Sequence, residues 1–155
     1  MADLSHLDER GRAKMVDVGS KPETDREATA EAVISMLPGT ADALYSGDLP
    51  KGDAVAVARL AAIGGAKRTS ELMPLCHPLM LSAVDVDVER VAAGARIEVT
   101  ARMTGRTGVE MEALTGAAIG ALALYDMIKG IDRAAQIGLV RLLAKSGGRS
   151  GEWRR

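Results

Sequence analysis

The run from Ala113 to Tyr125 carries no charge and predicts the helix around which the chain is organised. Apolar residues recur there at a spacing of three to four positions, which is typical of a helix. The opposite side of the same helix is also apolar, so we expect it to be buried nearly all round. The run is shorter than the roughly 20 apolar residues of a membrane span, and therefore predicts a core helix.

Two glycines within this helix, Gly116 and Gly120, predict that another backbone packs closely against it. Each glycine costs about 1 kcal/mol relative to alanine in a helix interior. A close helix–helix contact would offset that cost. The uncharged run is bounded by ionisable residues, so a rigid, buried helix is expected to carry ionisable groups at both ends.

Further helices are predicted in the first half of the chain. Thr24 and Glu27 fit a capping box, in which each residue satisfies a backbone donor of the other, and this helix is expected to run to about Met36. A short helix is expected over roughly residues 41–46. Asp53 is the expected N-cap of a third helix, which extends to about residue 68.

Strands are predicted mainly in the second half. Valines alternate with acidic residues over Met80–Arg90, which is typical of a half-buried strand. Ile97–Met103 is its expected partner in an antiparallel hairpin. Gln136–Leu143 is expected to form the last strand and Met15–Val18 a short early one. Together with the helices, these strands predict an α+β fold.

The composition predicts that subunit contacts add to the buried surface. The 155 residues are enough for a single domain with its own core, within which residues 1–13 and 146–155 are expected to be flexible. Two tyrosines and one tryptophan are the only aromatic residues, so the core must be built from aliphatic and small side chains. Small side chains bury little area each, which favours an oligomer.

Charge and cysteine content restrict the expected partners and compartment. A net charge of −1 favours neither nucleic acid nor an anionic membrane as a partner. The single cysteine excludes an internal disulfide and is typical of a reducing cytoplasm. The first ten residues contain no apolar segment typical of a signal peptide. A cytoplasmic protein is therefore expected.

The segment Met73–Pro78 holds the first candidate functional residues, Cys76 and His77. Its two prolines exclude a regular helix, and rigid loops often position binding groups. A lone histidine beside apolar residues is more often structural, and no second histidine lies nearby in the sequence to activate Cys76 as a nucleophile. One cysteine and two distant histidines give no recognisable zinc-ligand spacing, so no metal site is predicted.

Two pairs of ionisable residues flank the central helix. Strand-like alternation would place Glu110 and Glu112 on one side with Met111 opposite, so that both carboxylates could accept hydrogen bonds from a base; they could equally be first-turn acids. Asp126 and Lys129 share one helix face. They form either a surface ion pair or a functional pair at a buried end, and both burial and mutual attraction would act on their pKa values.

Six motifs, taken in order, resemble one known family. They are Lys51–Asp53, Ala66–Thr69, Pro74–Leu79, Gly108–Thr115, Tyr125–Lys129 and Leu142–Gly151. The chain resembles the molybdenum cofactor biosynthesis protein C (MoaC) family of cyclic pyranopterin monophosphate synthases over residues from about 4 to 152. The motif that contains His77 and the Glu110–Thr115 motif are highly specific together. Arg149 is a small departure, because lysine is common at that position.

The resemblance implies a ferredoxin-like α+β fold, an antiparallel sheet with helices packed on one face. It implies a homohexamer, built as a trimer of dimers, with active sites at subunit interfaces. The implied reaction converts 3′,8-cyclo-7,8-dihydroguanosine 5′-triphosphate into cyclic pyranopterin monophosphate and releases pyrophosphate. No resident cofactor or metal is implied, although Mg²⁺ could accompany the triphosphate.

The resemblance also implies roles for individual residues. Asp126 is the implied catalytic residue, and we expect Lys129 to act with it as an acid–base pair. The implied substrate contacts are Leu75, Cys76, His77, Glu110, Met111 and Glu112. The cations expected to hold the triphosphate are Lys21, Arg26, Lys51, Lys67 and Lys145.

Two other classes of function are compatible with the residues. One is a ferredoxin-like regulatory module that binds a nucleotide without turnover. The other is a structural oligomer in which the central helix serves packing alone. The presence of Asp126 and Lys129 favours the enzyme over both.

Overall fold

A computed structural model describes residues 6–155, which form five strands and four helices. They are β1 (Thr24–Ser35), α1 (Pro38–Ser46), α2 (Ala54–Lys67), α3 (Thr69–Leu72), β2 (Ala83–Val91), β3 (Gly94–Gly105), α4 (Glu110–Ile128), β4 (Gln136–Ser146) and β5 (Trp153–Arg154).

The strands form one antiparallel sheet in the order β2-β3-β1-β4-β5. The β2–β3 hairpin is the predicted one, and it pairs Ala83 with Arg102 and Val91 with Gly94. One helical crossover, containing α2, joins β1 to β2, and another, α4, joins β3 to β4. This β-α-β-β-α-β order is that of the ferredoxin-like fold, so the expected α+β class is confirmed.

The predicted helix over residues 24–36 is wrong, because this segment is the central strand β1. Ala28, Ala30, Ala32 and Ile34 are buried on one face, which is the period of two that a strand requires. Thr24 pairs with Gly105 instead of capping a helix. Pairing with β3 on one side and β4 on the other overrides the helical preference of alanine and glutamate.

Most other predicted elements are present with shifted ends. Asp53 caps α2 as predicted, since its Oδ1 accepts a hydrogen bond from the Ala56 N–H at 2.9 Å. Met15–Val18 is not a strand. At the other end of the chain, where flexibility is predicted, Lys145 pairs with Trp153 across β4 and β5. Within the described part of the predicted flexible N-terminus, Leu7 and Ala13 form an isolated bridge, whereas residues 1–5 lie outside the described residues.

The two faces of the sheet have different chemistry. Alternate residues of β1 and β3 face α2 and α4 and form an alanine-rich core, whose larger members include Ile34, Ile97 and Val99. The other face carries ion pairs between neighbouring strands. Glu31 is buried there and accepts a hydrogen bond from Arg141 Nε at 2.7 Å. The helices therefore pack on one face only, as expected.

Helices α2 and α4 run antiparallel and touch through small residues. A Cβ added to Gly116 would lie 3.1 Å from the Ala62 carbonyl oxygen, and one added to Gly120 would lie 3.1 Å from the Ala62 Cβ. On α2, a Cβ added to Gly65 would lie only 2.7 Å from the Ile119 Cβ. The close backbone approach predicted from Gly116 and Gly120 is thus present.

Helix α4 is longer than the uncharged run that predicts it, because it begins at Glu110 and ends at Ile128. Within residues 6–155 it is the one helix long and apolar enough to cross a membrane by length and composition alone. More than half of its apolar window is buried inside the protein. Packing against α2 and the sheet therefore accounts for its apolar composition.

Two adjacent glycines of α2 allow a matched test of this packing. Gly64→Ala should raise the free energy of unfolding by about 0.5–1 kcal/mol, because the new methyl group meets no atom within 4 Å and alanine favours a helix. Gly65→Ala should lower it by about 1–3 kcal/mol, because its methyl group overlaps Ile119. Denaturant unfolding at one protein concentration measures both, and equal effects would contradict the close contact.

Candidate active site

A cavity of about 840 Å³ opens at the N-terminal end of α4. Nine of the predicted site residues line it, namely Lys21, Arg26, Leu75, Cys76, His77, Glu110, Met111, Glu112 and Lys145. They come from β1 and the segment before it, from the loop after α3, from the first turn of α4 and from the end of β4. The fold thus brings together residues that are far apart in the sequence.

The loop after α3 presents His77 in a defined orientation. The Cys76 N–H donates to the Met73 carbonyl oxygen at 3.0 Å, which closes a turn, and no helix forms, as the two prolines predict. His77 Nε2–H donates to the Val16 carbonyl oxygen at 2.8 Å. In the neutral ring this bond leaves Nδ1 as the hydrogen-bond acceptor. The segment before β1 therefore positions the imidazole.

The first turn of α4 contributes Glu110, Met111 and Glu112, so the strand-like alternation considered for them is wrong. A helix turns about 100° per residue, which points the two carboxylates in different directions. Glu110 Oε1 lies 3.2 Å from Lys145 Nζ and is half-buried. Glu112 is only 4% exposed. The two acids thus have different surroundings in one cavity.

Burial raises the pKa of Glu112 to about 7, and the nearby charge of Glu110 acts in the same direction. Burial, followed by the charge of Glu112, also raises the pKa of the Cys76 thiol. Cys76 therefore stays a neutral thiol and is not activated as a nucleophile.

Several cations line the same cavity. Lys21, Arg26 and Lys145 are joined there by Arg106 and Arg149, which sequence reasoning did not single out as site residues. Both lie inside or beside recognised motifs: Arg106 precedes Glu110 by four positions, and Arg149 belongs to the glycine-rich tail motif. Their closeness to those motifs is the signal that could have identified them.

The glycine-rich segment after β4 folds over Arg26. Gly147 and Gly148 have φ values of +94° and +73°, which favour glycine. A Cβ added to Gly147 would also lie 2.0 Å from the Asp25 carbonyl oxygen. Lys145 Nζ donates to Ser150 Oγ and so ties this segment to β4. The segment therefore holds Arg149 beside Arg26 and Lys145.

Three other predicted residues form a second cluster at the far end of α4. Lys129 Nζ lies 2.6 Å from Asp126 Oδ1, and Lys51 Nζ lies 3.1 Å from Asp126 Oδ2. Lys51 also donates to the Asp126 carbonyl oxygen at 2.7 Å. Because Glu110 and Asp126 are separated by 16 residues at about 1.5 Å per residue, the clusters are about 24 Å apart along the helix.

The second cluster is exposed within a single chain. The side chains of Asp126 and Lys129 are 56% and 49% exposed. Hydrogen bonds from Lys129 and then Lys51 lower the pKa of Asp126, and the bond to Asp126 raises the pKa of Lys129. Mutual attraction thus outweighs burial, which leaves an ionised aspartate between two ammonium groups.

Lys67 joins neither cluster. It ends α2 and is exposed, and it does not line the cavity.

Among residues 6–155, no group of three or more histidine, cysteine or acidic side chains has an arrangement that could hold a metal ion.

The buried carboxyl group of Glu112 should make stability depend on pH. Its pKa is about 7 in the folded protein and about 4.3 in the unfolded chain, so folding favours the protonated form. Wild-type stability should therefore fall as pH rises between these values. Glu112→Gln removes this penalty and should raise the free energy of unfolding by up to about 3 kcal/mol at pH 8, with little effect at pH 4.

Denaturant unfolding at both pH values measures this difference. Glu110→Gln is the matched control, because its carboxylate is paired with Lys145 and its removal should not stabilise the protein at pH 8. A Glu112→Gln variant with the same stability difference at pH 4 and pH 8 would contradict the assignment.

Comparison with known proteins identifies the family. The model of the MoaC family matches residues 15–148. A protein of Roseiflexus castenholzii named cyclic pyranopterin monophosphate synthase is 56% identical over 98% of both chains. Proteins of the same name from Brucella ovis and Thermomicrobium roseum are 53% and 54% identical, over 97% and 100% of this chain and 92% and 95% of their own. The expected resemblance is confirmed, and the chain belongs to the MoaC family.

Proposed function

We propose that this protein is a cyclic pyranopterin monophosphate synthase, a lyase of molybdenum cofactor biosynthesis. Its substrate is 3′,8-cyclo-7,8-dihydroguanosine 5′-triphosphate, and its products are cyclic pyranopterin monophosphate and pyrophosphate. Full-length relatives that bear this enzyme name support the proposal. The structural observation that carries it is the cavity at the start of α4, which is lined by apolar and acidic residues together with several cations.

The two kinds of residue that line the cavity suit the two parts of the substrate. Leu75, Met111 and Cys76 offer apolar contact to the base, and His77 and Glu112 offer polar atoms that fix its orientation. The cations that line the cavity bind the triphosphate, which carries about four negative charges. One pair of unit charges at 4 Å contributes about 4 kcal/mol at an effective dielectric constant of 20, so a few cations are sufficient despite a net charge of −1.

The reaction requires proton transfers and stabilisation of negative charge. Opening one ring and closing another moves protons between ring atoms, which positioned acids and bases accelerate. Closing the cyclic phosphate expels pyrophosphate, whose developing charge is stabilised by fixed cations such as Lys145 and Arg26. The rearrangement is not a redox reaction and needs no resident cofactor, and Mg²⁺ can enter together with the triphosphate.

The separation of the two clusters supports an active site shared between chains. Asp126, Lys129 and Lys51 cannot reach the cavity of their own chain across about 24 Å of helix. A second chain that brings its Asp126 cluster to this cavity completes the site. Asp126 then acts as the catalytic residue with Lys129, and Lys51 and Lys67 add cations. Exposed apolar residues on α2 and α4, namely Val57, Leu60 and Leu122, are available for such a contact.

The proposed assembly is a homohexamer made of three such dimers. A symmetric dimer would form two equivalent shared sites, since each chain gives one cluster and receives the other. The single cysteine and the neutral balance of charge are in keeping with a cytoplasmic enzyme that acts on a small molecule.

Incubation of the purified protein with the cyclic triphosphate substrate tests the reaction. Oxidation of the product should give a fluorescent pterin, and pyrophosphate should appear in equal amount. Asp126→Asn should reduce turnover by roughly 10²–10⁴, the usual range for a positioned acid or base, with a much smaller loss of substrate binding. Substrate binding by the wild type without either product would show a binding module instead of an enzyme.

Mixing two inactive variants tests the shared site. His77→Ala damages the cavity and Asp126→Asn damages the other cluster, so chains of the two kinds assembled together should form some intact sites. Random pairing in equal amounts should restore about a quarter of the sites in a symmetric dimer. His77→Ala mixed with Lys145→Ala is the control, because both changes lie in the same cavity and no intact site can form. Restored activity in the control alone, or in neither mixture, would contradict a shared site.

A further inference from the structure

Two carboxyl groups lie at the start of α4 in the same cavity and differ in their partners. Glu110 forms an ion pair with Lys145. Glu112 is almost fully buried, and within residues 6–155 no lysine, arginine or histidine lies within the 4.0 Å of an ion pair. A buried carboxyl group without a cation favours its protonated form.

None of the basic side chains that line the cavity within residues 6–155, His6 included, forms an ion pair with Glu112. From β4, Lys145 pairs with Glu110; from β1, Arg26 Nε donates to the Gly105 carbonyl oxygen at 3.3 Å. In the turn before α4, Arg106 forms an ion pair with Glu23, and its Nε lies 3.8 Å from Glu23 Oε1. Lys21 and Arg149 line the cavity from the segments before β1 and after β4.

Within the same chain, the loop after α3 gives Glu112 no ion-pair partner. The loop after α3 contributes the Cys76 thiol, whose pKa is raised by burial and by the charge of Glu112. It also contributes His77, whose Nε2–H is already bonded to Val16. Within its own chain, Glu112 is thus a buried acid without an ion-pair partner that lines the ligand space, and burial favours its protonated form.

We propose that Glu112 is the proton donor to the base-derived part of the substrate, an inference that rests on the proposed function. The O–H bond of the carboxylic acid breaks as an N–H or O–H bond forms on the ring. The carboxylate then accepts a proton that the substrate releases at a later step. The group ends each cycle as it began, and no co-reactant is consumed.

This role separates Glu112 from the other acids of the site. Glu110, paired with Lys145, holds the cation in place and accepts hydrogen bonds. Asp126 is ionised between two lysines in the other cluster and cannot donate a proton, although Lys129 beside it can. Because the rearrangement includes several proton transfers, a second proton donor near the base would accelerate it. A pKa of about 7 is near the optimum for donating a proton at neutral pH.

The pH dependence of turnover tests the proposal. The wild-type rate should fall as pH rises through about 7, because the protonated form of Glu112 is the active one. Glu112→Gln keeps the size and a hydrogen-bond donor but cannot transfer a proton. Its turnover should be lower by roughly 10²–10⁴, and the remaining turnover should not decrease as pH rises through about 7.

Two further variants serve as controls. Glu112→Asp should recover part of the turnover, which should then decrease at a different pH. Glu110→Gln should keep the decrease of turnover with pH and mainly raise KM.

A spectroscopic titration of the resting protein provides an independent readout. Protein labelled with ¹³C at glutamate carboxyl carbons should show one resonance that titrates near pH 7 and disappears in Glu112→Gln. Titration of that resonance near pH 4, or a Glu112→Gln variant with the wild-type pH profile, would overturn the proposal. A titrating Glu112 in a protein that never converts the substrate would instead overturn the proposed function.

Discussion

The close contact between α2 and α4 is the constraint on which the rest of the structure depends. At each point where the two helices touch, at least one of the two residues must be glycine or alanine. Examples are Gly116 against Ala62 and Gly65 against Ile119. Because both helices lie on one face of the sheet, this contact sets the depth at which α4 sits. The depth of α4 in turn decides which of its terminal residues are buried and which reach solvent.

The two ends of α4 consequently provide different electrostatic environments. At its first turn Glu112 is enclosed, and burial raises the pKa of its carboxyl group. At its last turn Asp126 is open to solvent and lies between Lys51 and Lys129, which lower the pKa of its carboxyl group. One helix thus holds an acid with a raised pKa at one end and an acid with a lowered pKa at the other, although the two residue types differ by only one methylene group.

Local patterns in the sequence were sufficient for most of the fold and for one side of the site. Periodicity predicted α4 and the β2–β3 hairpin, and the motif order led to the family and to nine residues that line the cavity. The strand β1 was missed because its alanines and glutamates favour a helix locally, whereas its actual partners lie 59 residues or more away in β3 and β4. Arg106 and Arg149 lie beside or inside recognised motifs, but only the folded chain shows that both line the same cavity as Glu110. The burial of Glu112 likewise depends on packing that no local pattern reports.

The position of β1 at the centre of the sheet also affects how the chain can fold. Its neighbours are β3, which begins at Gly94, and β4, which ends at Ser146. Pairings between such distant segments close large loops, and folds dominated by them form slowly. During synthesis β1 obtains its second neighbour only when nearly the whole chain has left the ribosome. The earliest strand to be made is therefore among the last to be completed, and the nascent chain carries its unpaired edges through most of translation.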